Sequence, residues 1–336
     1  MKKYLFPVWM LFIPGIAMSG TYTYQNTNGT LAVDYTAVTP SKTLQTLSVN
    51  GSTIATNCYE GGQRTPDSSD CASSPVYLQV RAFLQGPYNA ATGLMRDDLR
   101  VAQRVPITDP YTAMGDYAGP AISTKALYML ATGGDAIVDW VLLELRNADN
   151  PAKVEYAIPA LLQSDGDVVQ AQTFSPGVTL DGVVGSRFYV SLRHRNHLGV
   201  ITATALDLKT VSPASIDFSS PNTAVRGDFA RVVTQGIAQL WAGDANHDER
   251  IIYQGTGSDT TVLMREILLA SGNTSGSLNY IVPGYLNSDV TLDGDTIYSG
   301  AGSDATRILG NIYTHPGNTS HAANYVIFGG LTGLIQ

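Results

Sequence analysis

The feature that most limits the fold of this chain is an internal repeat near its C-terminal end. Residues at intervals between Asp244 and Asp259 recur 45 positions later, between Asp289 and Asp304, and the match continues without a gap to Tyr280 and Tyr325. A match of this length indicates a duplication. Residues 237–336 are therefore predicted to fold as two similar halves.

The polar residues of the first copy are spaced like the ligands of a calcium-binding loop. In an EF-hand loop, side-chain oxygens at positions 1, 3 and 5 and a main-chain carbonyl at position 7 face one cation, and a later acid closes the shell. An insertion at 255–258 contains two glycines and would let the chain curl back to deliver that acid. The predicted Ca²⁺ ligands of the first copy are Asp244, Asn246, Asp248, the carbonyl of Arg250, and Asp259.

The second copy offers an equivalent set of donors: Asp289, Thr291, Asp293, Asp295 and Asp304. Gly294 supplies the turn residue expected at position 6, where the first copy has Glu249. Thr291 is a weaker ligand than Asn246, so we expect two sites of unequal affinity, with the better side chains in the first copy. The alternative is that the acids only form Asx turns and cap the helices expected at 260–270 and 305–314.

Loop-and-helix duplicates that begin Asp-x-Asn-x-Asp resemble the dockerin type of calcium module. The longer loop that ends in Tyr253–Asp259 is similar to the dockerin-like C-terminal regions of large secreted bacterial surface proteins of the haemagglutinin or adhesin type. The resemblance extends upstream through residues 193–199, 138–146 and 83–88. It implies export, calcium and a place at the cell surface, and it implies no established activity. True dockerins have repeats of about half this length and bind cohesins. Because the repeat of this chain is longer, the resemblance does not extend to cohesin as a partner.

The rest of the chain is predicted to be β-structure. Charged residues make up only 14% of the whole chain, in which Gly and Tyr are abundant. Alternating or apolar runs predict strands at 76–83, 137–146, 154–162 and 187–194, and Asn50-Gly51 predicts a hairpin. We expect a mostly β fold, with antiparallel Ig-like β-sandwich domains at 20–125 and 126–236. The small α-containing, dockerin-like duplicated module would follow at 237–336.

The first residues of the chain indicate export. Lys2 and Lys3 precede an apolar run at 4–18, and small residues then mark a cleavage site, so residues 1–19 are predicted to be a signal peptide. A membrane anchor is the competing interpretation, but the run is shorter than the ~20 residues that a span needs. We therefore expect a secreted or surface-associated protein without a transmembrane segment. Cys58 and Cys71 are the two cysteines, and in an exported chain they are predicted to form a structural disulfide.

The densest polar cluster outside the repeat is Arg193-His194-Arg195-Asn196-His197. Two histidines at i and i+3 suggest a metal site, but on a strand they would face opposite sides. Hydrogen bonding at a strand end is the favoured interpretation. Asp139 lies in an otherwise apolar strand and would need a partner if buried, and one of these arginines is the expected one.

The chain shows no catalytic motif of the common hydrolase or metalloprotease types, so we expect a protein that is not an enzyme. A net charge of −8 argues against nucleic acid as a partner. The leading hypothesis is a calcium-stabilised, adhesin-like protein of the cell surface or extracellular matrix. One alternative is a calcium-dependent subunit of an extracellular filament or sheath that assembles with itself. The other is a module that binds a surface polysaccharide or protein, with Tyr22, Tyr24 and Tyr35 as stacking faces or as an edge strand.

Overall fold

The computed structural model describes residues 20–26, 29–37, 42–60, 63–64, 73–209 and 213–335. The predicted signal peptide and Cys71 lie outside these residues. The chain divides into two compact units, one of residues 1–75 with 181–186 and the other of residues 76–180 with 187–336. The boundaries predicted at 125 and 236 do not coincide with this division, since residues from all three predicted domains belong to the second unit.

The first unit contains an antiparallel sheet in the order β1-β2-β3-β4-β5, with β1 at one end. Asn50 and Gly51 both have positive φ, +50° and +81°, which gives the predicted tight turn between the third and fourth strands. Cys58 on the fourth strand is fully buried. The strands are β1 (Gly20–Asn26), β2 (Gly29–Ala37), β3 (Lys42–Val49), β4 (Ser52–Glu60) and β5 (Gln63–Arg64).

The second unit is built on an antiparallel sheet in the order β11-β10-β9-β13-β14, with β15 also paired to β13. Its central strand, β9, is buried on both faces from Ile137 to Arg146, which explains its nearly continuous apolar sequence. In chain order, the strands from β6 to β15, including those outside this sheet, are β6 (Ser73–Arg81), β7 (Tyr88–Asn89), β8 (Leu94–Met95), β9 (Ile137–Asn147), β10 (Val154–Gln163), β11 (Val168–Val169), β12 (Val178–Val184), β13 (Arg187–Arg193), β14 (Val200–Ile201) and β15 (Leu206–Asp207).

A smaller sheet, β12-β6-β16, joins distant parts of the chain. In it, β6 pairs in parallel with β16 (Ala214–Asp217), with Leu78 opposite Ala214 and Val80 opposite Ile216. This pairing places residues from two predicted domains in one unit. The described fold is thus mostly β with predominantly antiparallel sheets, as expected, although this pair is parallel. Two further strands, β17 (Arg231–Thr234) and β18 (Ile237–Leu240), form a hairpin.

The duplicated region contains two helices of equal length, at equivalent positions, as the repeat predicts. They are α3 (Asp259–Leu269) and α4 (Asp304–Thr314). Short helical turns occur earlier in the chain, at α1 (Asp98–Val101), α2 (Tyr111–Met114), and the 3₁₀ segments Ala126–Leu130 and Gly133–Asp135. Leu263 and Ile308, which occupy the same position in the two copies, are both fully buried in one apolar cluster.

Strands of the first copy pair with strands of the second copy, in both directions. The remaining strands are β19 (Arg250–Ile252), β20 (Val282–Pro283), β21 (Asp295–Thr296) and β22 (Val326–Phe328). Ile251 after the first loop pairs with Ile327 after the second helix, and Thr296 after the second loop pairs with Val282 after the first helix. Each copy thus completes the short sheet of the other, which gives the region an internal pseudo-twofold symmetry.

Candidate metal centre

The first predicted loop winds around the carboxylate of Asp244. Asp244 is fully buried, its Oδ1 accepts the main-chain N–H of Asp248 at 2.9 Å, and its Oδ2 accepts that of Glu249 at 3.0 Å. Asp248 Oδ1 accepts the N–H of Arg250 at 3.0 Å. These bonds hold the backbone of the loop in a turn around the Asp244 carboxylate.

The glycine-containing insertion returns the chain to this loop, as predicted. Asp259 begins α3, and its carboxylate accepts N–H groups from Asn246 at 3.2 Å and Ile252 at 2.8 Å. The Asn246 amide donates to the carbonyl of Gly257 at 2.9 Å, across the mouth of the loop. Asp259 therefore closes the loop, while Ser258 is the N-cap of α3 and makes no side-chain capping bond.

The second loop repeats this hydrogen bonding at an offset of 45 residues. Asp289 accepts the N–H groups of Asp293 at 3.2 Å and Gly294 at 2.8 Å. Asp304 accepts those of Thr291 at 3.1 Å and Ile297 at 2.9 Å. Both closing acids and both first acids are fully buried.

The side chain of Asp295 has a different partner. Its Oδ1 lies 3.1 Å from a guanidinium nitrogen of Arg104, and the same arginine donates to the carbonyl of Gly294. Asp295 stands where the first copy has Arg250, at position 7, where an EF-hand loop uses the main-chain carbonyl. The Asp295 side chain therefore anchors the loop. The group of Asp295 that remains at the predicted ligand position is its main-chain carbonyl.

The two loops differ in backbone strain at position 6. Glu249 has φ +61° and Gly294 has φ +93°, so both positions are left-handed, a region that glycine enters without penalty. Glu249 is held in place by its side chain, which is buried and whose Oε2 accepts the N–H of Gly199 at 2.8 Å. Its Oε1 lies 3.6 Å from Arg193 Nε.

The buried acids of both loops have strongly raised pKa values. Burial, together with the charges of neighbouring carboxylates, raises the pKa of Asp259 and of Asp304 to about 8 and that of Asp289 to about 7. Burial and then the charges of Glu249, Asp259 and Asp248 raise the pKa of Asp244 well above its usual value. The carboxylates of each loop are therefore close enough to repel one another, and a bound cation would relieve that repulsion.

The donors of the two loops are oxygens, which suits a hard cation such as Ca²⁺. Among the residues that the structure describes, no group of three or more His, Cys, Asp or Glu side chains is arranged to hold a metal ion by itself. The predicted sets differ from such a group because amide, hydroxyl and main-chain oxygens supply part of each shell. The chemistry of the donors and the mutual repulsion of the acids fit calcium.

The cluster at 193–197 is completely buried beside these loops. Asp139 receives hydrogen bonds from Arg195 Nε at 2.9 Å and Tyr285 OH at 2.5 Å, and His194 Nε2 lies 3.2 Å away. Burial alone would raise the pKa of Asp139, but Arg195 and these hydrogen bonds lower it to about 2. The expected pairing of Asp139 with an arginine is confirmed.

The two histidines of the cluster do not face opposite sides, so that expectation was wrong. β13 ends at Arg193, and the chain then turns so that the Nδ1 atoms of His194 and His197 lie 3.2 Å apart. Burial, and then the charges of His194 and Arg195, hold the pKa of His197 well below its usual value. His197 Nε2 accepts the N–H of Gly86 at 3.1 Å, which is a structural role.

Asn196 connects the two loops, a role that the sequence did not reveal. Its main-chain carbonyl accepts the N–H groups of Gly243 and Asp244, both at 3.1 Å. Its side-chain amide donates to the carbonyls of Asn287 at 3.1 Å and Asp289 at 2.6 Å. One residue thus contacts the first acid of each copy. The only sequence signal was the density of polar residues directly after a strand.

A second connection runs from the central sheet to the first loop. Arg193 at the end of β13 forms an ion pair with Asp116 at 2.9 Å and donates to His247 at 2.7 Å, and His247 lies 3.0 Å from Asp116. The same guanidinium lies 3.7 Å from Glu144 on β9. A charge network therefore links positions 4 and 6 of the first loop to the largest sheet.

No helix in the described part of the chain is long and apolar enough to span a membrane. Comparison of the chain with known protein families, with characterised proteins and with solved structures gives no significant match.

Proposed function

We propose that this chain is an exported, non-enzymatic protein of the cell surface or extracellular matrix whose duplicated loops bind two Ca²⁺ ions. The observation that supports the proposal is the repetition of one hydrogen-bonding arrangement in two loops, each around buried acids with raised pKa values. Both copies of the duplication keep this arrangement although their carboxylates repel one another. This indicates that the negative charge of the loops has a function.

The residues that would hold the ions are those predicted from the sequence. They are Asp244, Asn246, Asp248, Asp259 and the carbonyl of Arg250 in the first copy, and Asp289, Thr291, Asp293, Asp304 and the carbonyl of Asp295 in the second. When bound, calcium supplies positive charge that offsets the repulsion of the carboxylates. The dockerin-like resemblance supports the same assignment, and an Ig-like sandwich remains our proposal for the antiparallel sheets.

The proposed role of calcium is structural. The first acid of each loop is tied to Asn196, and the first loop also contacts Arg193 at the end of β13. Ordering the two loops would therefore order the junction between the duplicated region and the central sheet. Loops whose acids repel when empty would make that junction depend on calcium, which suits a protein that acts where calcium is plentiful.

Calorimetric titration of the chelator-treated protein tests the proposal. The intact chain is expected to bind two calcium ions, and the double variant Asp244→Ala/Asp248→Ala is expected to bind one, because it loses two side-chain ligands of the first copy. Asp149→Ala, which removes an exposed acid that belongs to neither loop, is the matched control and should still bind two. Equal stoichiometry in the double variant and the control would contradict the assignment.

Light scattering during the same titration addresses assembly. The proposal of a structural role within one chain predicts a constant particle mass as calcium is added. Growth that chelator reverses would instead support the filament subunit. In that case calcium would act between chains.

A further inference from the structure

A cavity of about 400 Å³ lies over the second loop. Its walls come from the segment around β7, from the loop itself and from α4. The residues that matter for its chemistry are Tyr88, Asn89, Arg96, Thr291, Asp293 and Arg307. All of them belong to the second compact unit.

Arg96 is a fixed part of the cavity wall. One of its guanidinium nitrogens donates to the carbonyl of Thr291 at 2.9 Å, and another forms an ion pair with Asp98 at 2.9 Å. The charge of Arg96 is therefore held against the second loop by contacts that also position the loop backbone.

Arg307 has no hydrogen-bond or ion-pair partner for its guanidinium group within the described residues. Its side chain is exposed at the rim of the cavity. The equivalent residue of the first copy is Val262, which packs against the apolar core cluster. The second copy has thus replaced a packing residue with an unpaired cation that lines a cavity.

The mouth of the loop also differs between the copies. In the first copy, the Asn246 amide bridges to the carbonyl of Gly257 at 2.9 Å. In the second copy, the corresponding Thr291 hydroxyl turns inward to Asp289 Oδ1 at 3.4 Å and makes no such bridge. The cavity lies on this side of the second loop, beside Thr291 and Asp293.

We propose that this cavity binds the carboxylate of an acidic sugar. Two adjacent guanidinium groups match a carboxylate, which they can bind through paired, charge-assisted hydrogen bonds. Tyr88 offers a ring for sugar stacking, and its position is fixed by contact with Phe83 at a centroid distance of 5.1 Å. Asn89 Oδ1 accepts the N–H of Ala91 at 3.0 Å, which leaves its NH₂ group to donate to a hydroxyl.

This inference rests on the proposed function in one respect. The acid among the residues that line the cavity is Asp293, a proposed calcium ligand. Calcium in the second loop would offset that charge and leave the unpaired guanidinium of Arg307 available to an anion. Acidic sugar and calcium should therefore strengthen each other's binding, by the same factor in both directions.

The test is a calorimetric titration with D-glucuronate at a fixed, saturating concentration of free calcium, with D-glucose and inorganic sulfate as comparison ligands. We expect glucuronate to bind in preference to glucose. Arg307→Gln should weaken it about tenfold or more, which is the usual effect of losing a hydrogen bond to a charged group. Arg265→Gln removes an exposed arginine from α3, the equivalent helix, and is the matched control with unchanged affinity.

The outcomes separate this inference from the proposed function. Equal binding by the two arginine variants, equal binding of glucose and glucuronate, or binding of sulfate alone would each overturn the acidic-sugar site. Two calcium ions bound with no glucuronate binding would overturn this site and leave the proposed function standing. Glucuronate binding that depends on Arg307 in a chain that binds no calcium would support the anion site and contradict the proposed function.

Discussion

The calcium-free protein should lose stability as the pH rises from 6.5 to 8. Asp259 and Asp304 have pKa values of about 8 in the folded chain, against 3.8 for an exposed aspartate. The folded state therefore holds protons that the unfolded state releases throughout this range. Because the folded state binds more protons, its free energy of unfolding must fall as the pH rises.

The size of the effect follows from the same values. Each group that is protonated only in the folded state costs about 1.4 kcal/mol of stability per pH unit, and the slope diminishes near its own pKa. Over this interval Asp259 and Asp304 together cost about 3 kcal/mol. A typical folded domain has only about 5–15 kcal/mol of stability, so the loss is substantial. It corresponds to a fall in Tm of about 5–10 °C.

The measurement is thermal unfolding, followed by circular dichroism, in chelator and in excess calcium. Calcium should replace the protons on these acids. The Tm of the calcium-loaded protein should therefore change much less between pH 6.5 and 8. The interval begins at pH 6.5 because the buried histidines, whose pKa values are lowered, give the opposite slope below it. A calcium-free Tm that stays constant or rises between pH 6.5 and 8 would refute the reasoning.

Two substitutions test the connections between the loops and the sheet. Asn196→Ala leaves two carbonyl groups without their donor and should lower the free energy of unfolding, measured in urea, by about 2–3 kcal/mol. A decrease below about 0.5 kcal/mol would show that the bridge is unimportant. Asp139→Ala leaves Arg195 buried without its acid and should cost about 3–5 kcal/mol, and the effect should exceed that of Asp149→Ala by several-fold.

Much of the local structure could be predicted from the sequence, because local patterns determine it. The apolar run at 137–146 forms β9, and the alternating run at 187–194 forms β13 with one residue fewer. Both helices of the repeat begin at the acids that close the loops. Asn50-Gly51 forms its turn because both residues accept a positive φ.

The relations between distant segments could not be predicted in the same way. The parallel pairing of β6 with β16 depends on contacts between residues more than a hundred positions apart, and no local pattern records them. The same is true of Asn196, which makes four hydrogen bonds to residues of the duplicated region. The predicted domain boundaries do not coincide with the two compact units for this reason, since composition shifts along the chain say nothing about which strands pair.

The reciprocal pairing between the copies predicts that the two calcium sites are coupled. Ile251 follows the first loop but pairs with Ile327 of the second copy, and Asn196 holds both first acids. Ordering one loop therefore orders part of the other before it binds. Asp289→Ala should weaken calcium at the first site by at least about fivefold, and Asp244→Ala should weaken the second site by the same factor, since a coupling free energy is reciprocal. Calorimetry of the two variants and the intact chain measures both factors. If each remaining site keeps the affinity it has in the intact chain, the loops are independent, and the shared strands serve folding alone.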